Sequence, residues 1–155
     1  MEDFEQKIGA AKQKIYVADH MLSNTYNLLK DPKLLLAILD NIHLSMTQAL
    51  SGFLAHERLF KRIPHYNDEP ESELNFFKLK VFNKYGFEQH YVDLIDRLRD
   101  ILQAHDAAPV EFSRDKNFVI ASSNYDLKKI SPEDLKKDIK TCKDFIREVE
   151  DKIKL

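Results

Sequence analysis

The chain has 155 residues with 24 Lys and Arg against 26 Asp and Glu, a formal charge of −2, which excludes a protein that coats nucleic acid or membrane through its overall field and leaves only a local basic site. Three glycines, five prolines and few β-branched residues outside residues 110–120 predict a mostly helical backbone. The single Cys142 excludes an internal disulfide and a thiolate metal cluster, no apolar run approaches a membrane span, and the acidic start Met1-Glu2-Asp3 does not resemble a signal peptide, so a cytoplasmic location is expected.

Apolar or small residues recur at alternating spacings of four and three, the seam of helices packed lengthwise. Phe4, Ile8, Ala11, Ile15, Ala18, Leu22, Thr25 and Leu29 predict a first helix over about residues 3–30. Asp31-Pro32 supplies a stop, then the N-cap and first-turn proline of a second helix over about 32–62, with the seam Leu35, Leu39, Ile42, Met46, Ala49, Phe53, His56, Phe60. So short a link forces the two helices antiparallel over roughly 40 Å.

Pro64, Asn67, Asp68 and Pro70 mark a loop, and Glu71 and Glu73 favour the start of a third helix that runs to Tyr85. Gly86 is placed as its C′ residue, where a left-handed backbone is needed. A fourth helix follows from about Glu88 to Ala107, with Tyr91, Ile95, Leu98, Leu102 and His105 on its seam. From Pro109 to Ile130 the pattern changes, and Val110, Phe112, Phe118, Val119 and Ile120 around Arg114-Asp115-Lys116-Asn117 predict a short hairpin or extended flap. Ser131-Pro132-Glu133-Asp134 then opens a last helix over about 132–154, with the seam Leu135, Ile139, Cys142, Ile146, Val149, Ile153. The expected fold is one all-α domain over residues 1–155: an antiparallel four-helix up-down bundle with an extra C-terminal helix. Leu34, Leu36 and Leu54, apolar but off the seam, predict a dimer.

Chemistry concentrates in Arg97-Leu98-Arg99-Asp100-Ile101-Leu102-Gln103-Ala104-His105, which joins a permanent guanidinium charge to an imidazole that titrates near neutrality. Such a pair suits phosphodiester cleavage without a metal: His moves the proton of an attacking 2′-hydroxyl or of the leaving oxygen, and Arg neutralises the developing phosphorane charge. On an ideal helix Arg99 and His105 lie about 120° apart, so they converge only if the helix ends or bends near His105, or if a second chain completes the site.

Arg99-Asp100, four further residues and His105, five residues between Arg and His in all, resemble the motif of the HEPN superfamily, small helical bundles whose nucleases carry Arg, a polar residue and then His. The resemblance covers about residues 4–107. It implies a metal-independent ribonuclease whose Arg–His pairs meet at a homodimer interface, with Arg99 as phosphate stabiliser and His105 as acid or base, and members paired with nucleotidyltransferases make such a partner protein an expectation. Ala107 stands where toxin members under nucleotidylation control carry Tyr, so that control is not implied.

Arg58, Lys61 and Arg62, with His65 and Tyr66 beyond them and Arg97 near the motif, are candidate RNA-backbone contacts, although cations at a helix C-terminus also answer its dipole. For a metal centre, only Asp40-Asn41-Ile42-His43 comes near the spacing needed, and Gly-rich phosphate loops, nucleophile elbows and zinc spacings are missing. No cofactor and no metal site is therefore expected. Lys136, Lys137, Lys140 and Lys143 alternate with acids and read as a solvated face. Two functions follow: an HEPN-like protein that binds or cleaves RNA, or a non-catalytic helical interaction or scaffold protein.

Overall fold

Nine consecutive residues from Ala49 to Glu57 are all buried in the second long helix, and a helix enclosed on every side is the centre of its domain. The structure, a computed structural model, describes residues 3–107, 110–121 and 127–154. The protein is mostly helical. Helix α1 (Asp3–His20) passes through a π turn (Met21–Thr25) into α2 (Tyr26–Leu29), and the central α3 spans Leu34–Leu59. Next come α4 (Pro70–Phe76), a second π turn (Phe77–Val81), α5 (Phe82–Tyr85) and α6 (Gln89–Ala107). Strands β1 (Val110–Arg114), β2 (Asn117–Ala121) and β3 (Leu127–Ile130) precede α7 (Pro132–Ile153).

Helices α1 and α3 are antiparallel, as the tight link requires. Gly52 faces Ile8, Ser45 Oγ donates to the Ala11 carbonyl at 2.6 Å, and Asn41 reaches Met21. Gly52 sets the closeness of this contact: a Cβ there would lie 2.9 Å from Ile8 Cγ1 and 3.3 Å from the Phe4 carbonyl. Helices α4, α6 and α7 pack around the rest of α3.

The first seam holds through Ile8, Ala11, Ile15 and Ala18 and then slips. The π turn at Met21–Thr25 inserts about one residue relative to an α-helix, so Tyr26 rather than Thr25 is buried, and Leu29 is 65% exposed. The third predicted helix is likewise divided by its π turn. Helix α3 begins at Leu34 rather than at Pro32; Asp31 Oδ1 accepts from the Lys33 amide while residues 32–33 form a turn. Gly86 does close α5 in the left-handed region, with φ +71°. Ser131 caps α7, its Oγ accepting from the Asp134 amide, with Pro132 in the first turn.

The segment expected as a hairpin or flap is a three-stranded antiparallel sheet of order β1-β2-β3. Phe112 pairs with Val119, and Phe118 with Ile130. Phe118, Ile120 and Ile130 enter the core, so this segment is built into the domain. Pro109 and residues 122–126 lie outside the described residues. Leu54 is fully buried, and Leu34 and Leu36 pack against the same core, so these three leucines leave no apolar surplus to argue for a dimer.

Candidate functional site

Helix α6 keeps regular backbone past His105 to Ala107, and its apolar stripe fixes what faces the core: Tyr91, Val92, Leu94, Ile95, Leu98 and Ile101 are buried. Arg99 and His105 leave the helix toward different elements. Arg99 turns to α4, where Nη1 donates to Glu71 Oε1 at 2.9 Å, while Nη2 sits 3.2 Å from Asp96 Oδ1. Asp96 also takes Lys78 Nζ at 2.6 Å, which extends the network to a second cation. His105 turns instead to β1. Its Nδ1 is hydrogen-bonded to the Glu111 carboxylate, with the two side chains 36% and 26% exposed. Within one chain the two motif residues are therefore not brought onto one phosphate.

The His105–Glu111 pair is nonetheless a workable proton-transfer device. A carboxylate on Nδ1 fixes the ring's tautomer and orientation and leaves Nε2 free for a substrate. Glu111 was not foreseen, because it lies beyond the helix on a strand whose position no helical spacing reports. His43 is a second such residue. It projects from α3 toward the Arg99 network, and its pKa is lowered chiefly by burial, with Asp40 raising it and Arg99 lowering it. The sequence joined His43 only to Asp40, its neighbour on the same helix.

The expected RNA contacts are mostly spoken for. Arg58 Nη1 donates to Asp68 Oδ1 at 2.9 Å, and its guanidinium lies 4.3 Å over the Tyr66 ring. Arg62 pairs with buried Glu57 at 3.0 Å, and Arg97 pairs with buried Asp138 of α7. Lys61 is exposed, in a left-handed turn at φ 57°, without a carboxylate partner among the described residues. His56 is buried between Phe4 and Phe60, and burial lowers its pKa.

Among the described residues no group of three or more His, Cys, Asp and Glu side chains gathers as a metal site would, and no helix is long and apolar enough to cross a membrane. No protein-family model, curated protein or solved structure matches the chain. What the protein does has to be read from its own side chains.

Proposed function

We propose that this chain is an HEPN-like protein that acts on RNA, an antiparallel four-helix bundle with an added helix and sheet, working in the cytoplasm as a homodimer. His105 is its acid–base group and Arg99 its phosphate-stabilising group. The observation that carries this function is the His105–Glu111 pair, a partly exposed imidazole oriented by a carboxylate from another element. In the reaction, Nε2 takes the proton of the 2′-hydroxyl as that oxygen attacks phosphorus. The bond to the 5′-oxygen then breaks, and that oxygen takes up a proton from an imidazolium, leaving a 2′,3′-cyclic phosphate and a 5′-hydroxyl. No metal enters these steps.

Because Arg99 points to Glu71 and His105 to Glu111, a second copy supplies the Arg99 that faces a given His105. Glu71 is 63% exposed, and an exposed ion pair of this kind is worth little, so a phosphate can replace it. A nucleotidyltransferase-type protein remains a candidate partner.

The competing function is a non-catalytic interaction module, and it is favoured by the carboxylates that already satisfy Arg99. A ribonuclease assay in EDTA decides between them, with wild type, His105→Ala and Arg99→Ala compared and native helicity checked by circular dichroism. Cleavage lost in both folded variants supports the enzyme. A wild type that cleaves none of a diverse set of RNAs removes it and leaves the interaction module.

A further inference from the structure

A concavity lies between the end of α1, its π turn and the first half of α7. It is an open cleft of about 810 Å³, within the size range of ligand sites. Its apolar lining includes Leu22 and Ile139, and Tyr26 closes it from within, buried and tied by its hydroxyl to the Lys116 carbonyl. Lys136, Lys137, Lys140 and Lys143 stand on its α7 side, against Asp19 and Glu133 as the acids of the lining.

We propose that this cleft holds single-stranded RNA, with phosphates along Lys136, Lys140 and Lys143 and a base stacked on Tyr16; the inference rests on the RNA function above and names where the strand lies. Three observations carry it. First, cations remain available here, as exposed Lys61 does elsewhere. Arg58, Arg62, Arg97 and Arg99 each bond a carboxylate, whereas Lys136 and Lys137 have no acidic partner among the described residues. Lys140 and Lys143 contact Asp144 at 3.1 Å and Asp19 at 2.6 Å in exposed pairs that a phosphate can displace at small cost.

Second, Lys136, Lys140 and Lys143 fall on one stripe of α7, stepping about 6 and then about 4.5 Å along the axis, so they form a cationic rail parallel to the cleft. Third, an aromatic ring stands just past the Lys143 end of that rail, outside the lining of the cleft itself. Lys12 pairs with Glu150 of α7 and Asp19 with Lys143, so the edge of α1 between them faces α7. Tyr16 lies on that edge, four residues after Lys12 and three before Asp19, and is 70% exposed. A cationic groove with an exposed aromatic ring is what binds single strands without sequence preference, each base stacking through its π face. An acidic peptide would use the lysines and leave the ring idle.

The test is fluorescence anisotropy with a short fluorescein-labelled oligouridylate, 2′-O-methylated so that it cannot be cleaved, titrated over a salt series. Wild type is compared with Lys136→Ala/Lys140→Ala, with Tyr16→Ala and, outside the cleft, with Lys80→Ala; all four positions are exposed, and circular dichroism checks each fold. The double variant is expected to weaken binding and to lower the slope of log affinity against log salt by about 1.4, at about 0.7 per lost phosphate contact on a single strand. Tyr16→Ala is expected to weaken binding about tenfold at every salt concentration with the slope unchanged, and Lys80→Ala to change neither. If wild type binds and the double variant matches it in affinity and slope, the cleft is the wrong place while the RNA function stands. A Tyr16→Ala protein that binds like wild type removes the stacked base. If wild type does not bind the oligonucleotide, both fall, and lysine-dependent binding to phosphatidylserine vesicles instead would make the rail a membrane contact.

Discussion

Glu111 on β1 holds Nδ1 of His105 near the end of α6, although the two residues belong to elements of different kind. Neither side chain is buried, so the contact has little to offer stability and its worth lies in orienting the ring.

Under the proposed ribonuclease function, Glu111→Gln should lower metal-free RNA cleavage while leaving the unfolding free energy in urea within about 0.5 kcal/mol of wild type, the range usual for surface substitutions. His105→Ala should cost about 10²- to 10⁴-fold in rate, the usual contribution of a positioned acid–base group. Single-turnover cleavage in EDTA measures both. A Glu111→Gln protein as active as wild type would show that the carboxylate does not orient the base.

Gly52→Ala should destabilise the protein even though alanine is the better helix former. The helix-propensity gain is about 0.5–1 kcal/mol. Against it, the new Cβ would stand 2.9 Å from Ile8 Cγ1, a methylene attached to the branched Cβ and so held close to the backbone, and 3.3 Å from the Phe4 carbonyl, so α1 itself must shift. Overpacking of this kind costs about 1–3 kcal/mol, and the clash wins. A lower urea midpoint with an unchanged slope is the expected result, and a higher midpoint would mean that α1 yields freely.

Much of this arrangement was written in apolar spacing. The seams of α3, α6 and α7 are buried nearly as their spacing foretold, and the Ser131-Pro132 start and the Gly86 stop sit where cap chemistry puts them. Spacing failed where the backbone changed its period. The π turn at Met21–Thr25 moves the buried position from Thr25 to Tyr26, and Lys128-Lys129 hid β3 because only Ile130 of that strand is buried. The candidate site was half visible. Arg99 and His105 stand out in one dimension, but their partners Glu71 and Glu111 arrive from other elements, as do Asp68 and Asp138 for Arg58 and Arg97. A pattern along one helix reports what faces the core and is silent about which acid a neighbouring element delivers.

Cys142 should behave as a buried apolar side chain. It has no exposed surface, its thiol meets Ser45 Oγ at 3.2 Å, and burial pushes its pKa up to about 12. Native protein should therefore resist a thiol-specific disulfide reagent that labels the urea-unfolded chain at once. Rapid labelling without denaturant would mean that α7 opens easily from α3.

Two buried groups should pull stability in opposite directions as the solution is acidified. Burial lowers the pKa of His56 below 6.5, so the unfolded chain takes up that proton first, and the stability His56 allows above 6.5 is lost as pH falls toward its folded-state value. Burial raises the pKa of Glu73 above 4.5, against the opposing hydrogen bond from Ser51 and the charge of Lys7, so here the folded chain holds the proton more tightly. Ionised Glu73 thus lowers stability at neutral pH, and the loss is recovered as pH falls through the folded-state pKa toward 4.5. Urea midpoints measured from neutral pH downward separate the two. His56→Phe, which keeps an aromatic ring between Phe4 and Phe60, should fall less than wild type below pH 6.5. Glu73→Gln should exceed wild type at neutral pH, with the gap closing toward pH 4.5, because the amide keeps an acceptor for Ser51 without a charge to bury. Curves for either variant that run parallel to wild type would mean that its side chain ionises alike in the folded and unfolded chain.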